Sequence, residues 1–310
     1  MMELFFAVKI FLNLLYVKNI QKSTNEQIFL HLRARGLLKT QINCPSCGKS
    51  LVEKQVKRNI DGIMLRCLNK LCEEYQSYFS IPIGSFFENS KLRLETIFEI
   101  IYRYSKNELV KITSLELEVS HPTVTKIHTE IRSIIRIYYD NVPMILDGPN
   151  RIVEIDESLF VHKTKYNVGR FAETQVCVFS IADTTFTPAK VYLEVVESRS
   201  AQRLLPIIKR VVLSGSTIHS DQWAEYNNLQ SLGYVHQTVN HKYNFIDPQS
   251  GAHTQHIESF WKRAKLRIKQ MKVVRREKLQ EYLFEIMFKE NNGDNSFNSI
   301  LDMIFNFEYR

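Results

Sequence analysis

Three carboxylates stand in three different local settings along this chain. Asp156 follows the apolar-rich run 152–155, Asp221 follows the run 217–220, and Glu258 stands just ahead of a densely basic stretch. Hydrolysis of a phosphodiester, and attack by a 3′-hydroxyl on another phosphate, both need charge stabilisation on the attacking and leaving oxygens. Two divalent ions roughly 3.5–4 Å apart supply it. Mg²⁺ or Mn²⁺ takes few carboxylates and keeps several waters. Three acids therefore suffice, one bridging both ions and one further acid for each. Glu154, Glu157, Asp183 and Asp247 are rival acids that spacing leaves open.

His219, His241, His253 and His256 raise a competing hydrolytic chemistry at a His/Asp metal site. No His-Glu-x-x-His occurs, and no helical i,i+4 histidine pair encloses a glutamate. His253 and His256 are expected to fix the start of the acidic helix or to touch a phosphate.

Residues 259–278 carry nine Lys/Arg against one acid, and that difference equals the +8 of the whole 310-residue chain. The positive field is thus one local stripe, as a phosphate-tracking surface requires. Ile257, Trp261, Ala264, Ile268 and Met271 recur at helical spacing, with Glu258, Lys262, Lys265 and Lys269 on the neighbouring stripe. A carboxylate at a metal with ammonium groups continuing along a DNA backbone would look like this. Lys262, Arg263, Lys265, Lys269 and His241 are the expected phosphate contacts. The plainer reading is an exposed helix face, with Glu258 and Lys262 an ordinary i,i+4 pair stabilising by about 0.2–0.5 kcal/mol.

Four of the five cysteines form two knuckles. Cys44-Pro45-Ser46-Cys47 opens a segment that Cys67 and Cys72 close. Close pairs of thiolates with a strand-sized spacer are the zinc-ribbon arrangement, and four protein ligands make such a Zn²⁺ structural rather than catalytic. Cys177, inside an apolar strand run, is expected to be plain core.

The elements that must position these groups fall into segments of different texture. Residues 1–40 look helical, with 33–36 as a helix stop. Residues 41–82 form the zinc ribbon. Residues 90–140 return to helical patterning: a helix holding Leu92, Ile97, Ile100, Ile101 and Tyr104, a second over 108–117, then a third over 123–139 exposing Thr123, Thr125, Lys126, His128 and Arg132. Helix, short turn and helix opening at Pro122 is the helix-turn-helix pattern, whose second helix enters a major groove; Thr123 and Lys126 are its expected DNA contacts. A three-helix structural bundle gives the same pattern. Residues 150–290 alternate strands (151–158, 174–183, 190–196, 217–221, 234–239) with helices (200–213, 223–232 and one from about 254), which predicts one α/β domain with a mixed sheet. Residues 291–310 read as a tail with one short closing helix.

These residues resemble Merlin-superfamily DNA transposases and the related bacterial ISXO-type insertion-sequence transposases. The first shared block is Val153-Glu154-Ile155-Asp156-Glu157-Ser158-Leu159-Phe160 with Lys165-Tyr166-Asn167-Val168-Gly169-Arg170. Arg199-Ser200-Ala201, Leu204-Leu205-Pro206-Ile207-Ile208 and Ser220-Asp221-Gln222-Trp223 follow. The last is Gly251-Ala252-His253-Thr254-Gln255-His256-Ile257-Glu258-Ser259-Phe260-Trp261 with Lys265. Val161 stands where relatives often carry glycine. The resemblance implies an RNase H-like core, a mixed five-stranded sheet flanked by helices, with Asp156, Asp221 and Glu258 as a DDE triad holding two Mg²⁺ or Mn²⁺. It further implies cleavage at terminal inverted repeats of double-stranded DNA and joining of 3′ ends to target DNA.

The task of holding two DNA ends points to a homodimer or larger assembly. A catalytically inactive transposase-derived DNA-binding protein, and a metal-dependent nuclease without strand transfer, are the competing readings. Residues 1–17 lack a basic leader and are broken by Glu3, Lys9 and Asn13. No secretion and no membrane span are expected, with the nucleus or the cytoplasm and nucleoid as the compartment according to host.

Overall fold

The computed structural model describes residues 25–88, 90–146, 148, 151–160, 176–271 and 274–307. The resemblance block 165–170, and Lys272 of the basic stripe, lie outside them. The chain divides into two compact units, Ile135–Gly293 and the remainder on both sides of it. Among the described residues no helix is long and apolar enough to cross a membrane.

The first unit holds helix α1 (Asn25–Ala34), a small antiparallel sheet of β1 (Val52–Gln55), β2 (Ile63–Arg66) and β3 (Tyr78–Phe79), helices α2 (Leu94–Ser105) and α3 (Val110–Glu116), the start of α4 (His121–Asn141), and a C-terminal helix. Gly36 closes α1 with φ +71°, and a Cβ there would collide with the Phe305 ring, so glycine is required twice over. Arg103, nearly buried, joins Glu99 on its own helix to Glu108 and Glu116, and so latches α2 to α3. The turn 117–120 leads into α4, where Ser120 Oγ pairs with Thr123 Oγ1 at 2.7 Å.

Two residues expected on the exposed face of α4 are instead interior. His128 and Arg132 are 5% and 8% exposed, and His128 packs edge-on against Tyr104 at 4.8 Å between ring centroids. Val124, Ile127, Ile131 and Ile134 are buried on the same helix. The buried face is therefore wider than one stripe, and it takes the two polar side chains with it. Lys126 stays exposed, 3.8 Å from Glu130; Thr123 is half-buried.

The second unit is built on a five-stranded sheet of β4 (Ile152–Phe160), β5 (Val176–Asp183), β6 (Lys190–Val196), β7 (Thr217–Asp221) and β8 (Val235–Val239), in the order β6-β5-β4-β7-β8. The first three strands are antiparallel, and β4, β7 and β8 are parallel. Helix α5 (Ala201–Val211) covers one face; α6 (Gln255–Gln270) and α7 (Leu279–Asn292) cover the other. Alternation along β4 sends Val153 and Ile155 into the core under α5, and Phe160 into the core under α6. Glu154 and Asp156 share the phase of Phe160. Strand β5 is buried along its whole length, as covering both faces demands.

The helix expected over 223–232 is two 3₁₀ turns, Ala224–Tyr226 and Gln230–Leu232. Tyr226 and Leu229 are fully buried and spaced by three, which suits the three-residue turn of a 3₁₀ helix better than a 3.6-residue one. The closing segment forms α8 (Ser296–Asn306), and its Phe297 packs edge-on against Phe98 and Tyr102 within the first unit.

Candidate active site

The parallel pairing of β4 with β7 sets Ile152 beside Thr217 and Glu154 beside His219. The β4–β7 ladder ends there; two residues further along each strand come Asp156 and Asp221, the latter closing β7, where parallel strands commonly open a crevice, and the Asp221 charge acts on Asp156. Both aspartates are half-buried. Asp156 Oδ1 accepts the Glu157 N–H at 2.8 Å, and its Oδ2 accepts the Trp261 indole N–H at 3.0 Å. Asp221 Oδ1 accepts the Trp223 N–H at 3.1 Å.

Glu258 lies in the first turn of α6. Thr254, buried at the helix start, donates from Oγ1 to Glu258 Oε1 at 3.1 Å. Its Oγ1 in turn pairs with His241 Nε2 at 2.8 Å, and that nitrogen is 3.5 Å from the carboxylate itself. His241, expected on phosphate, is partly exposed beside Glu258.

Burial pushes Asp156 up to about 6; the Asp221 and Glu258 charges push the same way, against the Glu157 N–H and the Trp261 donation. The three acids therefore share one electrostatic neighbourhood. Their oxygens do not gather within 4.8 Å as a single-ion ligand set would: among the described residues only Cys44/Cys47/Cys67/Cys72 and Glu154/His253/His256 do so. A wider spread is what acids flanking a pair of ions need, and an all-oxygen donor set with mutually repelling charges suits a hard dication.

Glu157 carries an interaction that sequence reading left as a rival ligand. Arg199 donates to its Oε2 from Nε and Nη2 at 3.0 and 2.6 Å, and stacks over the Trp223 ring at 4.6 Å. Burial raises Glu157 to about 7 despite that partner. Asp183 and Asp247 are turn caps: Asp183 accepts the Thr185 N–H and Oγ1–H, and Asp247 accepts from the Gln249 and Ser250 backbones. Trp261 was legible only as part of an apolar stripe, and nothing local marks its indole as a carboxylate donor.

On α6, Ile257, Phe260, Trp261 and Ala264 are buried, while Lys262, Arg263, Lys265 and Lys269 are exposed. Arg263 is paired with Glu290 at 2.9 Å, so part of its charge is already answered.

In the first unit, Cys44 Sγ lies 3.7 Å from Cys72 Sγ, and Cys47 Sγ lies 3.9 Å from Cys67 Sγ. A tetrahedral ion with Zn–S of about 2.3 Å spaces its sulfurs by about 3.8 Å. The cluster and its hairpin fit a zinc ribbon. Hydrogen bonding by Asn69 and the Lys49 backbone draws the Cys47 thiol down to about 6, while burial pushes the Cys72 thiol up to about 12. Cys177 is buried core, as expected.

Strand order and layering define the second unit as an RNase H-like domain. Residues 145–291 match the family described as the ISXO2-like transposase domain. Over that segment the chain resembles the ISXO-type transposases. An uncharacterized transposase-like protein of Haemophilus influenzae is 29% identical over 105 residues, which span 34% of this chain and 84% of that protein. Among solved structures, a simian T-cell lymphotropic virus intasome in complex with a PP2A regulatory subunit aligns at 15% identity and TM-score 0.29, over 60% of this chain and 66% of that one, just under two thirds. The HTLV-2 integrase catalytic core domain in complex with magnesium aligns at 12% identity and TM-score 0.26, over 51% and 85%. A pre-cleavage Mos1 transpososome aligns at 12% identity and TM-score 0.24, over 68% and 78%. At such TM-scores these likenesses carry no weight of their own; the fold rests on the strand order and the family match.

Proposed function

We propose that the second unit is a DDE-type catalytic domain that cuts DNA at element ends and joins the 3′ ends to target DNA. The observation that carries this reading is the convergence of Asp156 on β4, Asp221 at the end of β7 and Glu258 in the first turn of α6, near enough that both neighbouring charges act on the Asp156 carboxyl. Charges brought together at such cost are repaid when dications are bound between them. Asp156, Asp221 and Glu258 would hold two Mg²⁺ or Mn²⁺. Such a pair supplies charge stabilisation on the attacking and leaving oxygens and readies the nucleophile.

The chain's own residues do the positioning. Trp261 and the Glu157 N–H fix the Asp156 oxygens, Trp223 N–H fixes Asp221, and the His241–Thr254 pair fixes Glu258. Lys262, Lys265 and Lys269 follow from Glu258 along exposed α6 and would track the phosphate backbone. Residues 41–82 of the first unit would hold a structural Zn²⁺, and the helix-turn-helix over 90–140 would present Thr123 and Lys126 to a DNA groove. Two ends must be held together, so a dimer or larger assembly on DNA is part of the proposal.

Incubating the full chain with labelled inverted-repeat DNA and Mg²⁺ tests it. Joined products support transposition; cleavage without joining would leave a nuclease, and binding without turnover would leave a DNA-binding derivative.

A further inference from the structure

A second polar cluster lies one step along the strands from the three acids. Glu154 projects to the same face of β4 as Asp156, and its cross-strand neighbour His219 to the same face of β7 as Asp221. Glu154 is 0% exposed, where a lone carboxylate is costly. Its Oε1 lies 2.6 Å from His256 Nδ1 and 3.2 Å from His253 Nδ1, and its Oε2 accepts the Ile257 N–H at 3.0 Å. The ligand atoms of Glu154, His253 and His256 all fall within 4.8 Å of one another. Hydrogen bonding leaves one of them unsatisfied: His253 Nδ1 is buried, and its approach to Glu154 lacks the alignment of a hydrogen bond.

We infer that Glu154, His253 and His256 bind a single transition-metal dication, with Zn²⁺ the best fit, at a site separate from the proposed catalytic pair. Two imidazole nitrogens and one carboxylate oxygen are a zinc donor set, and imidazole selects against Mg²⁺. Bonds of about 2.0–2.2 Å to such donors space them by about 3.3–3.4 Å in a tetrahedral site. The Glu154–His253 separation of 3.2 Å is already close to that, while the 2.6 Å between Glu154 and His256 must open. The His256 side chain is half exposed, so it has room. Binding exchanges the proton between His256 and Glu154 for two bonds to the ion, and that proton leaves to solvent. The other atoms are held from behind: Ile257 N–H on Glu154 Oε2, and the His253 N–H donated to His219 Nδ1 at 3.4 Å. Bound there, the ion staples β4 to the start of α6, two residues ahead of Glu258.

Metal content of the full chain tests this in excess Mg²⁺, which occupies hard carboxylate sites. Zn²⁺ should bind at two equivalents, one at the four cysteines and one at this cluster. Replacing Zn²⁺ by Co²⁺ should show an intense thiolate charge-transfer band from the first and weak visible bands from the second. His256→Ala, at a half-exposed side chain, and Glu154→Gln should each weaken the second equivalent at least 10-fold and leave the thiolate band and the melting transition of the metal-free chain in place. Metal content and cobalt spectrum identical to the parent in both variants would overturn the site. Neither readout needs DNA cleavage, so its failure is distinct from failure of the proposed function.

Discussion

The indole N–H of Trp261 donates a 3.0 Å hydrogen bond to Asp156 Oδ2, tying α6 to the middle of the central strand. The ring is buried between Phe160 and Phe260. One turn earlier, the Ile257 N–H is held by Glu154. Glu258 therefore sits between two anchor points that join its helix to β4. A loose side chain could not hold the fixed geometry that positional catalysis requires.

Trp261→Phe keeps the aromatic bulk and deletes the donor. Since the indole N–H lowers the Asp156 carboxyl, its loss should raise that group further above 6 and weaken metal binding. The Mg²⁺ concentration for half-maximal cleavage should rise several-fold, with little change in DNA affinity. An unaltered Mg²⁺ requirement would show that the indole only fills space.

Asp156→Asn, Asp221→Asn and Glu258→Gln should each cut DNA cleavage by more than about 100-fold, given several kcal/mol of metal-borne stabilisation and about 1.4 kcal/mol per factor of ten. DNA binding, measured by gel shift, should stay near the parent value. Near-parental cleavage in any one variant removes that residue from the site.

Asp156 and Glu157 titrate near 6 and 7, above their ordinary 3.8 and 4.5. Both hold protons more tightly folded than unfolded. Their stabilising contribution is thus complete below about pH 4 and lost as pH rises through 6 to 7. In metal-free protein at pH 8, Asp156→Asn should raise stability by an amount on the order of 3 kcal/mol, since each tenfold gain in proton affinity on folding is worth about 1.4 kcal/mol. The gain should vanish at pH 4 and shrink when Mg²⁺ is added. Thermal melts showing Asp156→Asn destabilising at pH 8 would contradict the burial argument.

Replacing Lys262, Lys265 and Lys269 together should weaken binding equally across DNA sequences. The slope of log affinity against log salt should flatten by roughly 0.9 for each phosphate that the helix no longer neutralises. An unchanged slope means α6 does not lie on DNA.

Chelation of zinc should unfold residues 41–82, where the β1–β3 sheet is too small to stand alone. The α/β unit, with its own two-sided core, should survive. Hydrogen exchange resolved by segment reads both; protection retained over 41–82 after zinc removal would refute the structural role.

Local patterns in the sequence determined much of this protein. The cysteine knuckles follow from the tight turns around Cys44 and Cys47; the five strands follow from runs of apolar and β-branched residues; the buried face of α6 follows from its period. Asp156 and Asp221 were legible as acids on strands, because a strand's ends and phase are written in a handful of neighbouring residues. Partners distant in sequence were not. That Glu154 is buried under His253 and His256, that Trp261 holds Asp156, that Arg199 neutralises Glu157, and that His128 turns inward on Tyr104 all depend on which faces meet after folding. Spacing along one element says which way a side chain points; only the packing of a helix some hundred residues further on says what it meets.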